Sequence, residues 1–199
     1  MASPLPLRFV LSAPDLSALP SSPGEIAVAG RSNVGKSSLI NAVANRRNLA
    51  QVSRTPGRTR LLNLFELDSA AHEVRGSVVD LPGYGYAAVP GRTRATWQKM
   101  IEGYLLGRDT LRMVAVLVDG EIGPTALDTQ MLEWLRAHEL PHAIVATKHD
   151  KIPSTRRQKR KKDLAVACDS ASKDVTWVSA VSGTGIDQLR TTMRGWLAP

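Results

Sequence analysis

The sequence predicts a three-layer α/β fold, in which a mostly parallel six-stranded sheet carries helices on both faces. One observation is that short, continuous apolar runs recur along the chain, as expected for strands buried on both faces. The other is that segments with helical spacing of apolar residues separate these runs. The strands are predicted at residues 26–29, 64–67, 74–79, 113–118, 144–146 and 175–178.

The segments between these strands place their apolar side chains on single helix faces. Their methionines and tryptophans are typical of core packing rather than of a binding surface. The polar turn between residues 67 and 74 indicates a β-hairpin that ends at Asp80. The helices are predicted at residues 38–43, 97–105, 131–135 and 186–197.

Residues 1–24 differ from the rest of the chain because they contain five prolines. They predict an extended N-terminal arm, in which residues 7–11 can add an edge strand. Residues 25–199 then form a single domain, which is large enough to bury a substantial core.

The chain has a formal net charge of +8 and one cysteine, Cys168. A basic excess on a domain of this size indicates a polyanionic partner such as RNA or an anionic membrane, although it also serves general solubility. A single cysteine excludes an internal disulfide. No apolar run is long enough to cross a bilayer, and the first 20 residues lack the basic start of a signal peptide. We therefore expect a soluble, cytoplasmic protein.

A phosphate-binding loop is predicted directly after the first of the six strands. Its pattern is G-x-x-x-x-G-K-S, in which the glycines let backbone N–H groups turn toward phosphates at the start of a helix. Lys36 then supplies a charge to the β- and γ-phosphates, and Ser37 offers a hydroxyl to Mg²⁺. A glycine-rich turn without a ligand is the alternative, and it does not account for the strand and helix on either side. The loop consists of Gly30, Arg31, Ser32, Asn33, Val34, Gly35, Lys36 and Ser37.

A D-x-x-G sequence, made of Asp80, Leu81, Pro82 and Gly83, follows a second strand. An aspartate at this position can hold the water shell of Mg²⁺, and the glycine N–H can meet a γ-phosphate. By itself the pattern is a common turn. Downstream of a phosphate loop it predicts the second part of a nucleotide site.

Guanine recognition is predicted from T-K-x-D, formed by Thr147, Lys148, His149 and Asp150. The Asp150 carboxylate can accept hydrogen bonds from N1–H and the exocyclic amine of guanine, whereas adenine would leave it unpaired. The stem of Lys148 can lie over the base. After the last predicted strand, the guanine carbonyl can accept hydrogen bonds from the backbone N–H groups of Val178, Ser179 and Ala180.

These motifs, in this order, resemble those of the TRAFAC-class GTPases related to Era, and within them the bacterial EngB family. The most specific stretches are residues 30–41, 55–60 and 80–87, the last reading D-L-P-G-Y-G-Y-A. The resemblance runs from about Phe9 to Trp196. It implies a Ras-like G domain that binds GTP and GDP, hydrolyses GTP and acts in assembly of the large (50S) ribosomal subunit. The implied partners are rRNA and precursor particles, and the family is linked to cell division and septation.

The resemblance also implies a switch loop around Thr59, a threonine that ligates Mg²⁺ only when the γ-phosphate is present. Ser37 would be a second ligand, and Asp80 would act through water. The implied catalytic residues are Lys36, Thr59 and Gly83. Further nucleotide contacts implied around the switch are Gly57, Arg58, Arg60 and Leu61.

Two positions bear on how hydrolysis would proceed, and a third departs from the family pattern outside the nucleotide motifs. Tyr84 stands where Ras-like enzymes have a glutamine that orients the attacking water, so we expect slow intrinsic hydrolysis. Asn33 matches a residue that helps bind K⁺ in related GTPases, and a loop-capping role is the alternative. Glu121 follows Asp119 where the family often has arginine, which reverses the charge of that loop.

Residues 156–162 are the densest basic run of the chain. A solvated helix face and an rRNA contact both explain it. We expect a monomer that does not bind membranes, and a nucleotide-gated RNA-binding scaffold with negligible turnover is the alternative function. A kinase or ATPase is disfavoured by the guanine motif. A second positive area is predicted near the switch from Arg46, Arg47, Arg54, Arg58 and Arg60.

Overall fold

A computed structural model describes residues 2–51, 61–67, 75–84 and 91–198 of the chain, without the side chains of 91–97. Its centre is one sheet in the order β1-β3-β4-β2-β5-β6-β7. Only β3 runs against the others, since it pairs antiparallel with both β1 and β4. The strands are β1 (Leu7–Ala13), β2 (Glu25–Gly30), β3 (Leu62–Leu67), β4 (Ser77–Asp80), β5 (Leu111–Asp119), β6 (His142–Thr147) and β7 (Val175–Trp177).

Helices cover both faces of this sheet, which confirms the predicted α/β architecture. Alternate residues of the central strands point to opposite faces. Ala27 and Val116 therefore pack with α2, α3 and α4, whereas Ile26 and Leu117 pack with α1 and α5. The helices are α1 (Lys36–Ala44), α2 (Gly91–Gly107), α3 (Ala126–Ala137), α4 (Arg157–Ala167) and α5 (Ile186–Leu197).

The sheet has one strand more than the six predicted for the domain, because the edge strand that residues 7–11 could add is present, so the described residues contain seven strands. The additional strand is β1, which pairs with β3 across a bulge between Phe9 and Leu11. Leu5, Leu7 and Ala13 are fully buried, so this segment contributes to the core as well as to the hydrogen bonding. A strand rich in neighbouring prolines is tolerated here because it lies at the edge of the sheet.

Strand β4 is shorter than predicted, since it begins at Ser77 rather than at residue 74. Val74 lies outside the described residues. Gly76 precedes the strand, and a Cβ atom there would lie 2.7 Å from the carbonyl oxygen of Gly24. The close approach of these two chain segments therefore requires glycine at this position.

A buried carboxylate fixes the amino end of the central strand β2. Glu25 is fully buried, and its oxygens accept hydrogen bonds from Arg108 at 3.0 Å, Ser77 at 2.8 Å and Tyr104 at 2.5 Å. Because Arg108 supplies a positive charge and all three side chains donate hydrogen bonds, the buried negative charge of Glu25 is compensated. This network lies at the opposite end of β2 from Gly30.

In the part of the chain that the structure describes, none of the helices is both long enough and apolar enough to cross a bilayer.

Candidate nucleotide site

The predicted binding residues lie at the carboxyl edge of the parallel strands, where ligands bind in open α/β sheets. Strand β2 ends at Gly30 and leads through a loop into α1, which begins at Lys36. Strands β4 and β6, which run parallel to β2 in the same sheet, end at Asp80 and Thr147. The fold therefore brings the phosphate-loop, D-x-x-G and T-K-x-D residues to one edge.

The phosphate loop adopts a backbone shape that its glycines permit. A Cβ atom on Gly30 would lie 2.9 Å from the side chain of Val34 and 3.1 Å from that of Leu117. Gly35 has φ 110° and Asn33 has φ 64°, both in the left-handed region. The N–H groups of the first turn of α1 have no carbonyl partner within the helix, so they are available to an anion.

Lys36 and Asp80 form an ion pair beneath the loop. The Lys36 Nζ lies 3.8 Å from Asp80 Oδ1, and the two side chains are 9% and 3% exposed. This Oδ1 atom is buried without a hydrogen-bond partner in the described structure. Burial raises the pKa of Asp80, and the neighbouring Lys36 charge partly opposes that rise. A buried carboxylate oxygen with unused acceptor capacity, beside the half-buried Ser37, fits the oxygen ligands and retained waters that Mg²⁺ prefers.

The Gly83–Tyr84 segment lies directly against the phosphate loop. The Ser32 N–H donates to the Tyr84 carbonyl at 3.1 Å, and Tyr84 pairs with Arg31 in an isolated parallel bridge. A Cβ atom on Gly83 would lie 2.9 Å from the Ser32 nitrogen. Glycine at this position therefore allows the two segments to approach.

The Tyr84 side chain is held by the amino end of α3. Its hydroxyl donates to Asp128 Oδ1 at 3.0 Å. Asp128 is fully buried, and its other oxygen accepts from the N–H and hydroxyl of Thr125, both at 2.8 Å. Burial and the Asp128 charge raise the pKa of Tyr84, so the hydroxyl stays protonated and remains a donor. Arg31 Nε approaches the same carboxylate at 3.5 Å.

A second carboxylate, Asp119, connects the phosphate loop to the guanine motif. Its Oδ2 lies 2.6 Å from Lys148 Nζ and 3.6 Å from Arg31 Nη2. Its Oδ1 accepts from the N–H groups of Glu121 at 3.0 Å and Ile122 at 3.4 Å. Asp119 therefore shapes the loop through backbone contacts, and the exposed Glu121 side chain is not needed for that shape.

Asp150 is positioned by a serine from the loop after β7. The Ser179 hydroxyl donates to Asp150 Oδ1 at 2.6 Å. The same hydroxyl oxygen accepts from the N–H groups of Val181 at 3.2 Å and Ser182 at 3.0 Å. Val178 is buried and Ala180 is exposed, on either side of the fully buried Ser179. Both loops predicted to surround a guanine are thus joined through one hydroxyl.

His149, the variable position of T-K-x-D, packs into the protein. Its ring lies edge-on to Trp177, with centroids 5.9 Å apart, and the side chain is nearly buried. Burial lowers the pKa of His149, and the cationic Arg157 and Lys161 lower it further. The imidazole is therefore favoured in its neutral form.

Some predicted site residues cannot be placed. Gly57, Arg58, Thr59 and Arg60 lie outside the described residues, and Leu61 is exposed just before β3. The sequence reasoning also missed two carboxylates, Asp119 and Asp128, which contact site residues. The pattern Thr125-x-x-Asp128 is the capping-box form seen at helix starts, and it signalled the position of Asp128 but not its contact with Tyr84.

Comparison with known proteins shows the family to which this chain belongs. Residues 25–148 match the family model of the 50S ribosome-binding GTPases. A Pasteurella multocida protein named "Probable GTP-binding protein EngB" is 45% identical over 195 residues, which cover 96% of this chain and 93% of that protein. The chain belongs to the EngB family. A relative of the same name from Pelotomaculum thermopropionicum is 43% identical over 174 residues, covering 87% of this chain and 85% of that protein.

Solved structures agree with this family in fold. A crystal structure of a probable GTP-binding protein EngB has a TM-score of 0.69 and 24% identity, and the alignment covers 87% of this chain and 98% of that one. The structure of Aquifex aeolicus Era bound to GDP.AlF4⁻ has a TM-score of 0.72 and 21% identity, covering 90% of this chain and 58% of that one. The chain therefore has the P-loop GTPase fold of the EngB family, and one edge of its sheet is formed by the antiparallel pair β3 and β1.

Proposed function

We propose that this EngB-family chain is a Mg²⁺-dependent GTPase switch that binds GTP and GDP and acts in assembly of the large ribosomal subunit. The observation that carries the proposal is the convergence of three motifs at one sheet edge, with the Lys36–Asp80 pair below the phosphate loop and Asp150 below the guanine loops. The ribosomal partner rests on the description of the matching family. We extend the proposal to a cytoplasmic monomer that contributes to normal cell division and septation.

The phosphate end of the site is proposed to work by charge and backbone donors. Lys36 would pair with the β- and γ-phosphates, and the N–H groups that begin α1 would donate to their oxygens. Ser37 and Thr59 would hold Mg²⁺ directly and Asp80 would hold it through water. The ion, when bound, would neutralise charge on the phosphate oxygens. Gly83 would offer its N–H to the γ-phosphate.

The base end is proposed to select guanine through Asp150. The Ser179 hydroxyl donates to only one oxygen of Asp150, so the Asp150 carboxylate can still accept hydrogen bonds from N1–H and the exocyclic amine of guanine. An adenine base would leave that carboxylate unpaired, a loss that typically lowers affinity by several orders of magnitude. Competition between labelled GDP and unlabelled ADP tests this: we expect ADP to compete at least about 10³-fold more weakly than GDP. Equal competition would remove guanine selection from the proposal.

Slow hydrolysis is proposed because Tyr84 does not replace the missing glutamine. Its hydroxyl is already donated to Asp128, 44 residues along the chain, and it has no carboxamide to orient water. We propose that a cation held near Asn33, such as K⁺, or the ribosomal particle supplies the missing stabilisation. Single-turnover assays in KCl and NaCl, with and without large-subunit particles, should give different rates. Identical rates would contradict this part of the proposal.

A scaffold without turnover is the second candidate, and the engaged Tyr84 hydroxyl favours it over a self-sufficient enzyme. Co-sedimentation with large ribosomal subunits in GDP and in a non-hydrolysable GTP analogue separates the outcomes. Analogue-dependent binding together with measurable single-turnover hydrolysis supports the switch. Analogue-dependent binding without hydrolysis supports the scaffold, and binding that ignores the nucleotide contradicts both.

A further inference from the structure

Helix α4 presents a cationic surface that the nucleotide site does not use. Residues 156–162 contain six lysines and arginines and no acidic residue. Arg156, Lys159 and Lys162 recur at a spacing of three, so they form one row, and all three side chains are exposed. We refer to these three residues as the basic row.

The opposite side of α4 is anchored in the core, so the basic row is held in a fixed position. Leu164 and Ala165 are buried against the sheet. On the flanks, Arg157 donates to the Ile152 carbonyl at 3.1 Å and the Lys161 Nζ lies 6.0 Å from the centroid of the Trp177 ring. The cations of the flanks therefore have contacts within the protein, whereas those of the row point to solvent.

The charges of the basic row are poorly compensated within the described residues. Lys159 pairs with Asp163 at 2.7 Å, but the two side chains are 81% and 50% exposed, so solvent screens the pair. Arg156 and Lys162 form no ion pair in that part of the chain. Elsewhere, Arg31, Arg108 and Arg190 are each paired with a carboxylate.

Two residues of the basic row, Arg156 and Lys159, lie at the amino end of α4 and oppose the dipole of that helix. The first turn of α4 contains no acidic residue and no side-chain cap, whereas the first turns of α3 and α5 contain Asp128 and Asp187. Cations at a helix N-terminus are unfavourable because that end carries partial positive charge. Cations that lack a carboxylate partner and also lie at a helix N-terminus are unfavourable for stability, so such a surface is a candidate for function.

We infer that the basic row binds the phosphate backbone of RNA, and that it is a contact through which this chain engages the large ribosomal subunit. This inference rests on the proposed function for its partner. The row concentrates part of the chain's net charge of +8 on one exposed surface, which is the electrostatic complement of a polyanion. The row lacks interleaved aromatic side chains on which bases could stack, so the contact binds the phosphate backbone of RNA and does not recognise its base sequence.

The location of the row connects it to the guanine motif. Arg157, next to the row, donates to Ile152, whose own N–H donates to the His149 carbonyl at 3.2 Å. His149 in turn packs against Trp177, over which Lys161 lies. The helix that carries the basic row therefore contacts the loop of Asp150 through its flanking residues Arg157 and Lys161.

The test compares two variants that remove equal charge. The row variant is Arg156→Gln/Lys159→Gln/Lys162→Gln. The control is Arg75→Gln/Lys99→Gln/Arg112→Gln, three exposed cations on other elements. Binding to purified large ribosomal subunits and to an RNA duplex of roughly 20 base pairs is measured at several salt concentrations. GDP affinity is measured in parallel, and we expect both variants to retain it because none of the six residues belongs to the nucleotide site.

We expect the row variant to lose roughly 100-fold in RNA affinity at about 0.1 M salt and to reduce the slope of log K against log salt by about 2 to 3. The control should change affinity by less than about 3-fold. An unchanged slope in the row variant, or equal losses in both variants, would overturn the inference. Selective loss of binding to phosphatidylserine vesicles, with RNA binding intact, would assign the row to a membrane instead. If the unmodified chain fails to bind subunits in either nucleotide state, the proposed function fails, and the RNA duplex still tests the row.

Discussion

The hydrogen bond between Tyr84 and Asp128 gives a prediction whose size follows from the structure. Tyr84→Phe removes one hydroxyl and keeps the ring. The lost bond is 3.0 Å long and its acceptor is a fully buried carboxylate. Hydrogen bonds to charged groups contribute about 1.5–3 kcal/mol, and the half-buried position of Tyr84 favours the lower part of that range. We expect Tyr84→Phe to lower the free energy of unfolding by about 1.5–2 kcal/mol.

For a domain of this size, that loss corresponds to a decrease in Tm of roughly 3–8 °C. Urea unfolding of the nucleotide-free protein gives the free energy directly. Asp128→Ala supplies the control, because in that background the hydroxyl has no carboxylate to contact. We therefore expect the same Tyr84→Phe change to cost less than about 0.5 kcal/mol there, and the difference measures the contact.

Hydrolysis provides the second readout of this contact. Because Asp128 already accepts from the hydroxyl, Tyr84→Phe should leave the single-turnover rate of GTP hydrolysis within about 3-fold of the unmodified chain. A loss of 100-fold would show that the hydroxyl takes part in the chemistry. Equal destabilisation in both backgrounds would refute the contact itself.

Three other perturbations follow from buried charges. Burial raises the pKa of Asp80 above 3.8, so the free energy of unfolding of the nucleotide-free protein should fall as pH rises above that value. Asp80→Asn removes the ionisable group and should reduce this fall in urea unfolding at several pH values, and isothermal titration should show lost Mg²⁺-dependent GDP binding; an unchanged pH profile would contradict the assigned cause. Burial, with Arg157 nearby, lowers the pKa of His149 below 6.5, so stability should fall as pH drops below 6.5. Arg157→Gln should move the His149 titration upward in NMR spectra, and an unmoved titration would contradict that cause. Arg108→Ala leaves the Glu25 carboxylate without its cation and should cost about 3–5 kcal/mol, whereas a loss below about 1 kcal/mol would mean that the pair is not needed.

The sequence was most informative where function depends on consecutive residues. The position of the phosphate-loop and T-K-x-D residues at one sheet edge was predictable, because each motif is a short segment at the end of an apolar strand and parallel strands bring such ends to one edge. Residues 7–11 were predicted only as a possible edge strand in a proline-rich arm, since the pairing of β1 with β3 joins residues 49 to 60 positions apart. Long-range pairing of this kind leaves little local signal.

The contacts made by Asp119 and Asp128 were not predictable for the same reason. Arg31 lies in a motif that specifies phosphate binding, and nothing in that motif indicates that its guanidinium approaches two carboxylates from β5 and α3. Tyr84 was recognised as a departure from glutamine. The hydrogen bond from the Tyr84 hydroxyl to Asp128 became known only from the three-dimensional position of α3.

The hydroxyl of Thr147 donates to the carbonyl of Val34 at 2.7 Å, and both residues are buried. This bond joins the strand that carries the guanine motif to the middle of the phosphate loop, 113 positions earlier in the chain. The spacing between the segments proposed to bind the base and the phosphates is thus set by the fold, so the entropy of aligning them would be lost during folding rather than during binding. GDP and GTP would bind to the same preformed arrangement of these segments. The γ-phosphate, which only GTP carries, would contact the Gly83–Tyr84 segment, which lies against the loop through a backbone hydrogen bond and a close approach at Gly83.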